Sequence, residues 1–191
     1  MRARAGLTLY ELLFVLVLIG LVAGLAAPYV DPADRAVRNA AETVESTLLM
    51  ARRLAMERQH DVVVAFDLQN AAIRIHEDAD DDGELEPNER VRWIEVADDI
   101  AFARGAAPAH PRVGPAPSSF STLQTGLPAL TFRRDGRVVE RGGLYLTTLR
   151  AAREADDETG LATDTRVLLI EPPTGTPSWF RYHASGWERS L

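Results

Sequence analysis

Hydrophobic positions follow three regimes along the chain. From Leu12 to Ala27 no charged residue occurs, and at ~1.5 Å per residue this run makes an apolar rod of about 24 Å, close to but short of a ~30 Å hydrocarbon core. Beyond Pro28 and Pro32, which predict a bend, Val37, Ala41, Val44, Leu48, Ala51 and Ala55 recur at spacings of four and three. Arg38, Glu42, Glu45, Arg52 and Arg53 fall on the opposite side. This predicts an amphipathic helix over 31–59 with one face against a folded body; the alternative is a solvated single helix with a weak small-residue stripe. After His60 the period drops to two.

"DVVVAFD" (61–67), "AAIRIHE" (71–77) and "RVRWIEV" (90–96) read as strands from their alternation and β-branched content. The first two are joined by the hairpin-length Leu68-Gln69-Asn70. "ALTFRR", "GLYLTTL", "RVLLI" and "SWFRYH" are later strands. The four prolines Pro108, Pro111, Pro115 and Pro117 predict an irregular excursion over 105–119. The acidic, polar stretch 151–165 reads as a mobile loop. The class is therefore α+β: a long N-terminal membrane and stem helix packed on an antiparallel β head, expected to form two sheets.

Composition narrows the function. A chain of 191 residues has room for a membrane stem and one globular domain. With no cysteine, disulfides, a lipid anchor on cysteine and thiolate metal sites are excluded. The net charge of -7 disfavours a phosphate-gripping surface, so nucleic acid is not an expected partner. All 21 basic residues are arginine. His60, His76, His110 and His183 share no metal-ligand spacing and read as strand-edge or surface residues. No nucleophile elbow, phosphate loop or catalytic carboxylate pair is present, and no enzyme is expected.

One residue resists the plain membrane reading. Glu11 opens the apolar run with no base nearby to pair with it, and a carboxylate at the centre of a bilayer helix costs roughly 2.5–3.5 kcal/mol. A secretory signal peptide fits Arg2, Arg4 and the small residues Gly24-Leu25-Ala26, and a simple anchor fits the length. Neither accounts for Glu11. The whole pattern, a short basic leader ending in Gly6, then Leu7-Thr8-Leu9-Tyr10-Glu11, then the apolar run, resembles the N-terminus of type IV pilins and type II secretion pseudopilins.

That resemblance implies a pilin-like fold and a set of site residues. Prepilin peptidase would cut between Gly6 and Leu7 and methylate Leu7, and Glu11 would pair with the terminal amine of a neighbouring subunit during assembly. Such a pair forms only where subunits pack in register, since each charge alone is penalised in low dielectric. The implied organisation is a leader at 1–6, a transmembrane helix at 7–30, a stem helix at 31–59 and a β-rich head at 60–191. Leu7 and Tyr10 depart from the family's usual residues but stay apolar.

Within the head, "LTFRRDGRVVERGGLYLTT" resembles a stretch of the H-type minor pseudopilins and related minor type IV pilins, through Phe132, Gly136, Gly142, Gly143 and Leu146. Asp135-Gly136 and Gly142-Gly143 also read simply as hairpin turns. "RYHASGW" resembles the closing strand and turn of such heads. The resemblance implies a minor pseudopilin near the tip of the type II secretion pseudopilus, single-pass in the bacterial inner membrane with its head in the periplasm. Its partners would be major and minor pseudopilins, prepilin peptidase, the inner-membrane secretion platform and membrane lipid. The alternative is a minor type IV pilin acting in pilus assembly or DNA uptake. Where DNA-capturing relatives are expected to carry Gly-Arg-x-Arg, this chain has Gly186-Trp187-Glu188-Arg189, which favours secretion.

Between the second and third predicted strands, "DADDDGELEPNE" (78–89) fits a calcium-loop pattern. Asp78, Asp80 and Asp82 stand at positions one, three and five and Gly83 at six. The Glu84 carbonyl stands at seven, Glu86 at nine through water, and Glu89 as a bidentate ligand at twelve. Asp81 lies between ligand positions, with its side chain expected to point away. The flanks read as strands, so only the loop chemistry carries over, and a solvated acidic hairpin tip is the competing reading.

Overall fold

The computed structural model describes residues 8–26, 31–154 and 161–190, and the chain divides into two compact units, Met1–Asp31 and Pro32–Leu191. The expected cleavage and methylation positions, Gly6 and Leu7, lie outside the described residues, as does Pro28.

In the first unit, α1 (Leu9–Ala26) has 18 residues, about 27 Å at ~1.5 Å per residue. Its only charged residue is Glu11, in the first turn. Leu12, Leu13, Phe14, Leu16, Val17 and Ile19 are all exposed, so the helix is apolar on every side. Among the described residues, no helix is long and apolar enough to cross a membrane.

The second unit begins with α2 (Pro32–Arg58). Proline is tolerated in a first helical turn, where its missing N–H would have no partner in any case. The six stripe residues are buried, together with Ala40 and Thr47 on the same face. The small residues Ala40, Ala41, Ala51 and Ala55 let the helix lie close against the strands beneath it.

Ten strands follow. They are β1 (Asp61–Asp67), β2 (Ala72–Asp78), β3 (Arg90–Glu95), β4 (Ile100–Ala101), β5 (Thr122–Gln124), β6 (Leu127–Phe132), β7 (Gly142–Thr148), β8 (Arg166–Ile170), β9 (Pro177–His183) and β10 (Gly186–Ser190). A short helix, α3 (Leu149–Arg153), follows β7, and a 3-10 turn at Leu161–Asp164 precedes β8. Two antiparallel five-stranded sheets result, in the orders β3-β2-β1-β6-β5 and β10-β9-β8-β7-β4. One continuous core joins the α2 stripe to the inner faces of both, through Val62, Val64, Phe66, Ile73, Ile75, Leu130 and Phe132 of the first and Leu144, Leu146, Leu168 and Ile170 of the second.

Alternation then fixes which residues leave the core. In β2, Ile73 and Ile75 face α2, while Arg74, His76 and Asp78 face outward. Outward does not mean exposed: His76 is fully buried and Arg74 nearly so. His76 and the buried His110 therefore correct the expectation of surface histidines. Glu77, opposite Arg90, closes the inner face at its edge.

Two turns resolve differently. Asp135-Gly136 is a turn, with Gly136 at a φ of 77°, its N–H donating to the Arg133 carbonyl at 2.7 Å, and Arg133 N–H donating to Arg137 O at 2.8 Å. Gly142 and Gly143 instead begin β7. A Cβ on Gly142 would run into the Phe120 ring, and one on Gly143 into Val113 and the Leu168 carbonyl. These glycines serve close approach of the proline-rich excursion to the strand. Their chain position resembled a turn because glycine suits both uses. Residues 149–153, which included the start of the expected mobile loop, are helical, capped by Thr148 Oγ1 accepting from Ala151 N–H at 3.1 Å.

Candidate functional site

At the start of α1, Glu11 meets Thr8 reciprocally. Its Oε2 accepts from both the Thr8 backbone N–H and the Thr8 hydroxyl, each at 3.3 Å, and the Glu11 N–H donates back to Thr8 Oγ1 at 3.3 Å. This is a capping box: Thr-x-x-Glu satisfies amide donors that a helix start leaves without intrahelical partners. Glu11 has no base near it in the sequence, but it does have a partner within its own chain, Thr8. The signal was present in Thr8-Leu9-Tyr10-Glu11. The arrangement also keeps a negative charge at the positive end of the helix dipole.

The second site is the acidic loop between β2 and β3. Asp78 turns the chain by accepting from Asp82 N–H at 3.2 Å and Gly83 N–H at 2.8 Å, and Asp82 Oδ1 accepts from Glu84 N–H at 2.7 Å. Carboxylate oxygens of Asp78, Asp80 and Asp82 come within 4.8 Å of one another. Burial raises the Asp78 carboxyl pKa above its ordinary value, with the Gly83 and Asp82 amides opposing that rise.

Glu89 is placed otherwise. Its Oε1 accepts from Ala79 N–H at 2.9 Å, and its Oε2 accepts from Glu86 N–H at 3.0 Å and from His76 Nε2–H at 2.5 Å. Burial would push the Glu89 carboxyl up, but the Glu86 and Ala79 amides and His76 outweigh it and hold the pKa below the usual value. Glu84 and Glu86 are exposed. The structure thus gathers the three aspartates, while Glu89 closes the loop onto the sheet. Asp81, at a φ of 62°, does not simply point away: its Oδ1 accepts from Asp61 N–H at 2.7 Å and ties the loop to the start of β1.

Beneath the loop runs a polar chain that no sequence motif marks. Arg74 donates to the Thr125 hydroxyl at 2.6 Å and, at 3.0 Å each, to the Gln124 carbonyl and Oε1. Gln124 Nε2 donates to Gly83 O at 3.0 Å and to His76 Nδ1 at 2.9 Å. With its Oε1 held by Arg74, Gln124 can present only N–H to His76. His76 is therefore the Nε2–H tautomer, and that hydrogen goes to Glu89. The loop is fastened to the outer face of the first sheet through its two buried ends, Asp78 and the Glu89 side chain, while residues 79–84 and 86–88 between them stay exposed.

The outer face of the second sheet has a cover of its own. Tyr145 on β7 accepts from His110 N–H at 2.6 Å and donates to Gly114 O at 2.8 Å, fastening the proline-rich excursion. His110 packs against Phe180 and Trp187, with ring centroids at 5.3 and 5.4 Å. Burial, and then the nearby Arg112 charge, hold the His110 pKa below its ordinary value.

An N-terminal apolar helix, an amphipathic stem helix and a head of two antiparallel sheets define a pilin-like subunit. The sequence model of the family described as type II transport protein GspH matches residues 40–159, more than half of the 191 residues. The chain belongs to the GspH family, the H-type minor pseudopilins of the type II secretion system. Among solved structures, the minor pseudopilin EpsH from the type 2 secretion system of Vibrio cholerae is similar at 12% identity, over 81% of this chain and 94% of that one, with a TM-score of 0.40. The family assignment rests on the sequence model and not on that likeness. No curated protein matches the sequence significantly. The family is structural rather than enzymatic, and its members associate with other pseudopilins.

Proposed function

We propose that the chain is a subunit near the tip of the type II secretion pseudopilus, supporting export of folded proteins from the periplasm. In this reading it is held in the bacterial inner membrane by its N-terminal apolar segment, with the head in the periplasm. Prepilin peptidase cuts between Gly6 and Leu7 and methylates Leu7. The secretion platform and the other major and minor pseudopilins are the partners.

One observation carries the anchoring part of this reading. The α1 surface is apolar on every side from Leu12 to Leu21, and its single charge, Glu11, sits in the first turn. A helix hydrophobic all round belongs in lipid or among other helices. In a packed assembly the Glu11 carboxylate can exchange its two bonds from Thr8 for a neighbour's terminal ammonium, the stronger charge-assisted partner. Crosslinking of the full chain to the other pseudopilins in native membranes tests this. Loss of those crosslinks in Glu11→Ala supports the role, and undiminished crosslinks and secretion remove it. The minor type IV pilin alternative is not favoured: the matched family is a type II transport family, and Trp187 stands where a DNA-capturing head would be expected to carry the first arginine.

We also propose that Asp78, Asp80 and Asp82 take one calcium ion, supported by the convergence of their oxygens within 4.8 Å. Glu89, which lies outside that cluster and turns onto His76, would contribute through the loop closure it maintains.

A further inference from the structure

Among the described residues, the first sheet ends in a strand that pairs on one side only. β3 is an edge strand of six residues without proline, and among the described residues only β2 pairs with it. The other edges offer less: β4 has two residues and β5 three, while β10 turns its Trp187 onto its own sheet among His110, Tyr145 and Tyr182. Long unpaired edges are templates for another strand.

The two faces of β3 differ in chemistry. Register with β2 puts Arg90 and Arg92 opposite Glu77 and Ile75, on the side facing α2. There a groove of about 320 Å³ opens between strand and helix, lined by Met50, Leu54, Arg58, Ile75, Arg90 and Arg92. Glu77, the acid beside it, lies 3.8 Å from Arg58 and 3.7 Å from His60. Arg90 and Arg92 have no carboxylate partner among the described residues. On the other face Val91 is 42% and Trp93 50% exposed, with the Arg74 guanidinium 5.7 Å from the Trp93 ring centre.

We propose that the free edge of β3 docks an extended segment of another polypeptide as an added strand, and that this segment alternates acidic and apolar residues. Its main chain would satisfy the open edge. Its acids, on the α2 side, would meet Arg58, Arg90 and Arg92, and its apolar residues would lie beside Val91 and Trp93. Period-two alternation is what strand addition reads, and three cations beside one acid give the groove its sign preference. The inference adds a partner surface to the subunit reading and does not depend on α1.

The test uses the full chain in detergent and a fluorescein-labelled heptapeptide, Thr-Glu-Val-Glu-Val-Glu-Thr, followed by fluorescence anisotropy. Saturable binding is expected, weakened at least tenfold by Arg90→Glu with Arg92→Glu, while a lysine-for-glutamate peptide should not bind. N-methylation of alternate peptide amides should abolish binding in one phase and spare it in the other, since only one set faces the edge. Equal loss or equal retention in both phases would overturn strand addition, as would undiminished binding to the double variant or no binding at millimolar peptide. Dimerisation of the chain that the double variant abolishes would show a second copy as the occupant and likewise overturn the proposal.

Discussion

Glu89 Oε2 lies 2.5 Å from His76 Nε2, both side chains almost wholly buried, so the residue at the twelfth place of the calcium pattern acts as the latch of its own loop. Three donors converge on that carboxylate: His76 and the amides of Ala79 and Glu86. Removing the carboxylate takes that partner from all three, and His76 is fully buried.

Glu89→Ala is therefore expected to destabilise the protein by about 3 kcal/mol, the scale for a buried charged group whose partners are orphaned. The melting temperature should fall by roughly 6–12 °C for a domain of this size. The decisive condition is a calcium-free buffer. A latch gives the loss there too, whereas a pure metal ligand would give none until calcium is added.

Calcium itself should raise the melting temperature of the wild-type chain. At about a hundredfold above Kd the gain is roughly 2.7 kcal/mol for an ion bound only by the folded state. Asp80→Asn should remove most of that rise, because Asp80 brings a third carboxylate to the cluster. Titration calorimetry without calcium heat, together with an unchanged melting temperature, would leave the aspartates as turn formers.

The legibility of these sites varied with how local their causes are. The α2 stripe, β1 and β9 could be read from the sequence because periodicity is a property of neighbouring positions, whereas β10 was not expected as a strand. The capping box of Thr8 and Glu11 was equally local but was masked by the cost of a carboxylate in lipid, which drew attention to distant partners. The Arg74–Gln124–His76–Glu89 chain joins residues up to fifty positions apart. No spacing rule marks such a contact. The strands β4 and β5 were hidden by their two and three residues, too few to show a period.

Gly142→Ala should destabilise by about 1–3 kcal/mol, the range for forcing a methyl group into a packed interior. The cause is contact with Phe120, since Gly142 is not at a positive φ. Thermal melting of Gly142→Ala and of Gly142→Ala with Phe120→Leu separates the two: partial recovery in the double variant is expected, and no recovery would place the strain elsewhere.

Acid should loosen the cover over the second sheet. His110 has a folded pKa below its ordinary value, from burial and then from Arg112. As pH falls below about 6.5, the unfolded chain takes up a proton that the folded protein resists, so stability declines through that window. Urea unfolding across pH 5 to 8 should show the decline in the wild type and a shallower one in His110→Phe. Identical pH profiles would remove His110 as the cause.

The central claim is that the chain is made as a prepilin and matures into a pseudopilus subunit, and the mature N-terminus tests it most directly. Mass spectrometry of the protein recovered from native membranes should find a chain beginning at methylated Leu7. A mature chain beginning near Ala27, with the apolar segment gone, would contradict the account.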